Sequence, residues 1–375
     1  MRIFLSVASL AQHYGGPARS VSRLARALGG AGIGVGIWAP DGSAVDSPFL
    51  QNAPGVQRLD GTLEKAFESF KGVDLLHDNG IWWPHNHALA SLATRHKIPR
   101  IVSTRGMLEP WALQHKRWKK WLAWRLYQNR DLQAAACHHV TAPLEATRVS
   151  AFHWKVPVCC IPNGIEPVAG CARPEDLRRQ RWDGEGPRTA LFLGRIYPVK
   201  GLPLLIRAWD RVRPAGWVLK IAGPDEAGHR AEVEALVQQC GLGGQVQFTG
   251  ELEGEGRRTA YEEASLFLQP SYSENFGMAI GEAMAHGLPV ITTQGTPWEL
   301  LKTEGCGWWV PASVDGIASA LEEATQQKPG VLEQMGSKGR QIVAERFVWD
   351  RIAGQFIDCY HWLLGQKQKP AWMDE

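Results

Sequence analysis

The strongest constraint on this chain is a rhythm. Short apolar runs rich in β-formers alternate with segments of helical period almost from end to end. The first run covers residues 3–7; after the loop S-L-A-Q-H-Y-G-G-P a helix is expected over 20–28. Further strands are expected at 34–39, 73–77, 100–103, 139–141 and 156–161. Then the rhythm restarts, with strand T-A-L-F-L-G, helix L-P-L-L-I-R-A-W-D-R-V, strand W-V-L-K-I-A-G-P, helix A-E-V-E-A-L-V-Q-Q-C and strand V-Q-F-T-G. A helix around Tyr261, strand L-F-L-Q-P, helix M-A-I-G-E-A-M-A-H-G and strand L-P-V-I-T-T complete it. Strands that are apolar throughout, rather than alternating, belong to parallel sheets covered on both faces. Two such series in 375 residues imply an α/β protein of two Rossmann-like domains, each of ordinary size.

The break between them is expected from Pro162-Asn163-Gly164 to Gly186, which lacks apolar periodicity and carries Pro, Gly and clustered charge. This gives an N-terminal domain over 1–165, a linker over 166–186 and a C-terminal domain over 187–346. Two long helical segments, about 331–347 and 349–364, end the chain, with 347–375 set apart as a C-terminal helix. No apolar run reaches the ~18 residues of a membrane span, and the first residues lack a signal-peptide pattern. Seven cysteines without a C-x-x-C pair argue against a disulfide framework or a zinc knuckle and suit a reducing cytoplasm. Adjacent Cys159 and Cys160 read as core residues of an apolar strand.

Charge is unevenly placed. Residues 1–165 hold 19 basic and 10 acidic side chains, net +9, whereas the remainder is net −6. Residues 95–130 alone carry ten basic residues against Glu109. One segment therefore holds the excess, and it is expected to meet an anion. It contains W-A-L-Q-H-K-R-W-K-K-W-L-A-W-R-L-Y-Q-N-R. On a single helix, Trp111, Trp118, Trp121, Leu122 and Leu126 share one side, flanked by Lys116, Arg117, Lys119 and Lys120 and interrupted by Arg125. Tryptophan with lysine and arginine is the composition of a helix lying in anionic headgroups. The plain alternative is a domain helix with core tryptophans and solvated lysines. Nucleic acid fits poorly, because no recognition motif is visible and the rest of the chain is acidic.

Three stretches carry chemistry. In S-Y-S-E-N-F-G-M-A-I-G-E-A-M-A-H-G-L-P-V-I, Glu274 precedes a helix opened by Asn275, Phe276, Gly277 and Met278, and Glu282 lies inside it. Free N–H groups at the helix start suit a diphosphate, and carboxylates suit sugar hydroxyls. In L-F-L-G-R-I-Y-P-V-K-G, Gly194 allows the turn, and Arg195 and Lys200 offer a fork and a point charge to a leaving diphosphate. Gly15 and Gly16, after the first strand, allow backbone to approach a phosphate, although this is not a G-x-G-x-x-G fingerprint.

These residues resemble the retaining glycosyltransferases of glycosyltransferase family 4, of the bacterial cell-surface polysaccharide type. S-E-N-F-G-M-A-I-G-E matches the family's E-x7-E motif, and G-R-x4-K-G, K-I-A-G-P, V-Q-F-T-G and A-x-H-G-L-P-V-I extend the match over most of the chain. The resemblance implies the GT-B fold, two Rossmann-like domains facing across a cleft, with the last helix crossing back onto the N-terminal domain. It implies that Glu274 contacts the donor sugar, Glu282 holds the nucleotide ribose, and Arg195 and Lys200 neutralise the diphosphate. Relatives carry a His near the donor sugar; here the candidates are Arg105 in S-T-R-G-M-L-E-P-W-A-L and His77 in L-L-H-D-N-G. The expected reaction is glycosyl transfer with retention from a UDP- or GDP-sugar to a hydroxyl of a glycan. A lipid-linked lipopolysaccharide, capsule or exopolysaccharide precursor is the expected acceptor. No D-x-D occurs, so no metal and no cofactor are expected. The expected location is the cytoplasm, peripheral on the inner face of the membrane. Competing readings are a nucleotide-sugar epimerase of the same fold, a phosphorylase lacking an identifiable cofactor lysine, and a non-catalytic scaffold of polysaccharide assembly.

Overall fold

The computed structural model describes residues 1–114, 116–168 and 186–373, the His13 side chain apart. The expected linker at 166–186 thus lies almost wholly outside the described residues. The chain forms two compact units, Met1–Gly164 with Phe347–Glu375, and Ile165–Arg346.

The first unit is built on seven parallel strands: β1 (Arg2–Val7), β2 (Gly34–Trp38), β3 (Val56–Leu59), β4 (Leu75–Asn79), β5 (Arg100–Ser103), β6 (Cys137–Val140) and β7 (Val158–Cys160). Their order is β3-β2-β1-β4-β5-β6-β7. Connections from β1 and from β4 leave in opposite directions, and ligands of such sheets bind at the carboxyl ends beside that switch. The helix Gly16–Gly30 follows β1 and buries Ala18, Val21, Leu24, Ala25 and Leu28 as one stripe. It starts four residues before the expected 20, with Pro17 supplying a pre-set φ in its first turn. The C-terminal helix Trp349–Leu363 contributes Ile352, Phe356, Cys359 and Tyr360 to the same core as Leu5, Ile37 and Ile101.

The second unit repeats the plan with six parallel strands: β8 (Arg188–Leu193), β9 (Trp217–Ala222), β10 (Val246–Gly250), β11 (Leu266–Gln269), β12 (Val290–Thr293) and β13 (Gly307–Val310). Their order is β10-β9-β8-β11-β12-β13, which puts the switch between β8 and β11. The helix Leu202–Val212 buries Leu202, Leu205, Ile206, Ala208 and Trp209 against this sheet.

Several boundaries depart from the sequence pattern for physical reasons. β4 runs two residues past the expected 77, because Asp78 and Asn79 are satisfied inside the sheet rather than by water. β6 begins two residues before the expected 139, where Ala136 N–H bonds the Arg100 carbonyl and starts the pairing with β5. β3 and β13 escaped the pattern altogether. β3 is a short edge strand whose Gln57 and Arg58 are exposed, and β13 is half-buried throughout. Cys159 is fully buried and Cys160 partly so, while Cys137, Cys159 and Cys359 bring their sulfurs within 4.8 Å of one another in the first core.

Candidate active site

In the second unit, the loops leaving β8 and β11 are stitched together at the switch. Tyr272 N–H donates to the Val199 carbonyl at 2.8 Å, which sets Lys200 opposite Glu274. Lys200 Nζ lies 2.5 Å from Glu274 Oε1. Gln269 Nε2 and Ser271 Oγ donate to the same oxygen at 3.0 and 2.7 Å. Burial pushes this carboxyl upward, but Lys200 and the bonds from Lys200, Ser271 and Gln269 outweigh it and hold Glu274 below the usual carboxylate range. Glu274 is thus a fixed, ionised acceptor with Lys200 as a point charge beside it.

Past Glu274 the chain turns through Asn275 and Phe276 to Gly277, which caps the helix Met278–Ala285 in the left-handed region at φ 80°. The Phe276 carbonyl is held by the Trp298 indole N–H, and the two rings pack 5.2 Å apart. This fixes the helix start, whose first N–H groups have no partner within the helix. Glu282, on the same helix, receives Arg257 in an ion pair and the Tyr261 hydroxyl at 3.0 Å. Burial works to lower Arg257, but Tyr261 and Glu282 prevail and raise it, so it stays charged. Arg195 is more open, at 55% side-chain exposure, and pairs with Glu226 at 2.5 Å. The Ile196–Asp225 bridge positions that pair by joining the loops after β8 and β9.

In the first unit, Gly15 and Gly16 occupy the loop after β1. Gly15 has φ 84° and ψ −139°, a region essentially closed to other residues, and the space where a β-carbon would stand is open. The helix that follows thereby presents its start beside the carboxyl end of the strand. Arg105 sits after β5 with φ 51°, in a turn pinned by Glu145, which accepts from Thr104 Oγ1 and Gly106 N–H at 2.6 and 2.7 Å. Its guanidinium donates to Asn79 Oδ1 at 2.6 Å and to Asn163 Oδ1 at 2.9 Å. Burial lowers its pKa to about 10 against the pull of Glu145, so it remains a cation.

His77 is a correction. It is fully buried, with Nδ1 2.7 Å from the Tyr360 hydroxyl and Nε2 2.7 Å from Ser103 Oγ. Both ring nitrogens are spent inside the core, so it ties the C-terminal helix to the sheet and cannot meet a sugar.

The basic segment is a second correction. It is not one helix: Pro110–Gln114 ends before Lys116, whose φ of 52° breaks the axis. Arg117–Ala123 then passes through a π turn, Trp124–Gln128, into Asn129–Gln133. Nor are its tryptophans all core, since Trp111, Trp118 and Trp121 are 45%, 68% and 58% exposed. Lys119 and Arg125 lie over the Trp118 and Trp121 rings respectively. The surface is mixed aromatic and cationic.

Gln269, Ser271, Arg257, Tyr261 and Trp298 escaped the sequence reading, as did Asn79, Glu145 and Asn163 around Arg105. Gln269 and Ser271 flank the motif closely enough to be suspected from it. Arg257 and Tyr261 lie on a separate helix, Gly254–Glu263, and carry no local signal.

The fold is that of the GT-B glycosyltransferases. A glycosyl transferases group 1 model matches residues 174–342, and a glycosyl transferase 4-like domain model matches residues 15–164. Between them the two models match most of the chain, and both fit the glycosyltransferases of family 4. It is 31% identical to an uncharacterized glycosyltransferase of Methanocaldococcus jannaschii over 188 residues, 49% of this chain and 47% of that one. It is 25% identical to the GDP-mannose:cellobiosyl-diphosphopolyprenol alpha-mannosyltransferase of Xanthomonas oryzae, over 80% of this chain and 76% of that one. The chain spans about half the length, or less, of several curated relatives that it matches. Sucrose-phosphate synthase from Thermosynechococcus elongatus superposes with a TM-score of 0.72 at 23% identity, covering 98% of this chain and 100% of that one. At that identity the likeness speaks for the fold alone.

Proposed function

We propose that this protein is a retaining glycosyltransferase that moves a sugar, with mannose from GDP-mannose the first choice, onto a hydroxyl of a lipid-linked glycan. The observation that carries the reading is the Lys200–Glu274 pair at the start of the helix that also bears Glu282. Negative charge develops on the leaving diphosphate as the glycosyl bond breaks, and a fixed ammonium with helix N–H groups stabilises it. Glu274 accepts hydroxyls of the sugar, and Glu282, anchored by Arg257 and Tyr261, accepts from the ribose. With retention, the leaving phosphate takes the acceptor's proton on the face where the new bond forms. The mannosyl preference leans on the relative from Xanthomonas oryzae, whose name states a GDP-mannose donor and a diphosphopolyprenol acceptor.

Calorimetric titration with GDP-, UDP-, ADP- and dTDP-sugars tests the donor. Selective binding of GDP-mannose, weakened in Glu282→Ala, supports the reading; no binding of any nucleotide sugar overturns it in favour of a scaffold. The reaction is proposed to need no metal, Lys200 and Arg195 supplying the positive charge. Turnover should therefore survive EDTA, and loss restored by Mg²⁺ or Mn²⁺ would contradict it. The aromatic and cationic surface around Trp111, Trp118 and Trp121 is proposed to rest on anionic lipid, bringing the acceptor within reach.

A further inference from the structure

Besides its exposed tryptophans, the basic segment borders a shallow, open cavity of about 420 Å³, within the roughly 300–1,000 Å³ of small-molecule sites. Trp82, Leu113, Trp121, Trp124 and Phe152 form apolar walls, and Arg117 and Lys120 supply charge. Three of the walls hold one another in place: Trp124 packs 5.9 Å from Trp82 and 5.2 Å from Phe152. The Trp82 indole N–H is spent on the Met107 carbonyl, and its backbone N–H on Gln128. Lys120 Nζ lies 5.5 Å from the centre of the Trp82 ring. Residues 110–130 include no acidic side chain, and Glu109 just before them is paired with Arg148. Partial burial and the neighbouring Lys116 both disfavour the Lys120 cation, a cost that a bound anion relieves.

The cavity also has an address. Its Trp82 wall lies three residues beyond Asn79 and bonds Met107, two beyond Arg105, so that wall is tied to the segments that carry the Asn79–Arg105 contact at the carboxyl edge of the first sheet. Aromatic walls accept a nucleobase too, but a base needs several hydrogen-bonding partners, and among the described lining residues only Gln114 is polar and uncharged apart from tryptophan N–H groups.

We propose that this cavity takes the hydrocarbon chain of a single lipid phosphate, with Arg117 and Lys120 on the phosphate and the attached glycan directed toward Arg105. The assignment rests on the lipid-linked acceptor proposed above and adds where the lipid lies. It can be told apart from resting on a bilayer, because Trp121 belongs to both surfaces but Trp111 and Trp118 are exposed and form no wall of the cavity.

The probe is farnesyl phosphate kept below its micellar range, titrated calorimetrically into the whole protein, with inorganic phosphate and farnesol as controls. Farnesyl phosphate should bind at least tenfold more tightly than either control. Leu113→Trp, which fills the cavity, and Lys120→Gln should each weaken it at least tenfold, while Trp118→Ala leaves it unchanged. Lys120→Gln keeps the test decisive if Leu113→Trp folds poorly. Binding indifferent to both cavity variants, or inorganic phosphate bound equally well, overturns the assignment. Vesicles bound while farnesyl phosphate is ignored overturns it too, and leaves bilayer docking standing. Farnesyl phosphate bound while vesicles are ignored supports it and removes docking instead.

Discussion

Glu274 and Glu282 are both carboxylates of one motif, yet their partners give them different work. Glu274 has three donors on one oxygen, one of them the Lys200 ammonium, so it is rigid and ionised at neutral pH. Glu274→Gln keeps the size but removes the charge that orients Lys200. Turnover should drop by about 10²–10³-fold, the scale of losing one preorganised electrostatic contact, with nucleotide affinity within a few-fold of wild type. Glu282→Ala leaves Arg257 without its carboxylate and should weaken nucleotide binding about tenfold with a smaller effect on turnover. Steady-state kinetics beside calorimetry separates the two, and identical profiles would remove the division of labour. The sign of the pH effect follows from the lowered Glu274 pKa. Its contribution is complete above the ordinary carboxylate range and disappears only as pH falls through its lower folded value.

At the scale of elements, the decisive feature is how loops are held at strand ends. Glu145 pins the turn that carries Arg105, and Trp298 pins the start of the helix after Glu274, each from an element distant in sequence. The basic segment is the opposite case, short helices joined by a left-handed lysine and a π turn, with large aromatic surface outside. If that surface rests on lipid, flotation should recover the protein with vesicles containing anionic lipid and much less with neutral ones. Trp111→Ala with Trp118→Ala should reduce recovery several-fold, and 0.5 M salt, roughly a two-fold shorter Debye length than at physiological strength, should reduce it further. Equal recovery on neutral and anionic vesicles would count against the charge having any part.

At the scale of the whole molecule, the first unit should be the acid-sensitive half. Burial lowers His77 well below its ordinary value, and takes His85 and His138 to about 4 and His139 to about 3. A histidine depressed on folding contributes stability above about 6.5 that is lost as pH falls toward its folded value. Asp78 runs the other way: burial raises it to about 6, so its contribution is full below the ordinary carboxylate pKa and lost as pH rises through 6. Four histidines against one aspartate make the sum acid-destabilising, each adding at most about 1.4 kcal/mol per pH unit. Calorimetric melting from pH 7.5 to 5 should show the transition containing the first unit moving down, with a shallower slope in His139→Gln. A transition that rises on acidification would refute the balance.

Much of this protein is local and therefore legible. Apolar runs such as T-A-L-F-L-G bury both faces of a parallel strand, and that composition suffices to announce two Rossmann-like sheets. The spacing of Glu274, Gly277 and Glu282 is set by a loop and one helix, so chain order alone brings them to one place. What chain order could not supply were partners from other elements. Arg257 reaches Glu282 from another helix, Tyr360 reaches His77 across 283 residues, and Glu145 braces the Arg105 turn across 39. His77 looked available at a strand end, yet burial had already spent both its nitrogens. The tryptophans of the basic segment had either a core or an interface open to them, and only packing divided Trp124 from Trp118. Backbone periodicity is a property of neighbours in the chain and can be read from it; desolvation, ion pairing and exposure depend on which distant side chains arrive, and those were decided by the tertiary structure.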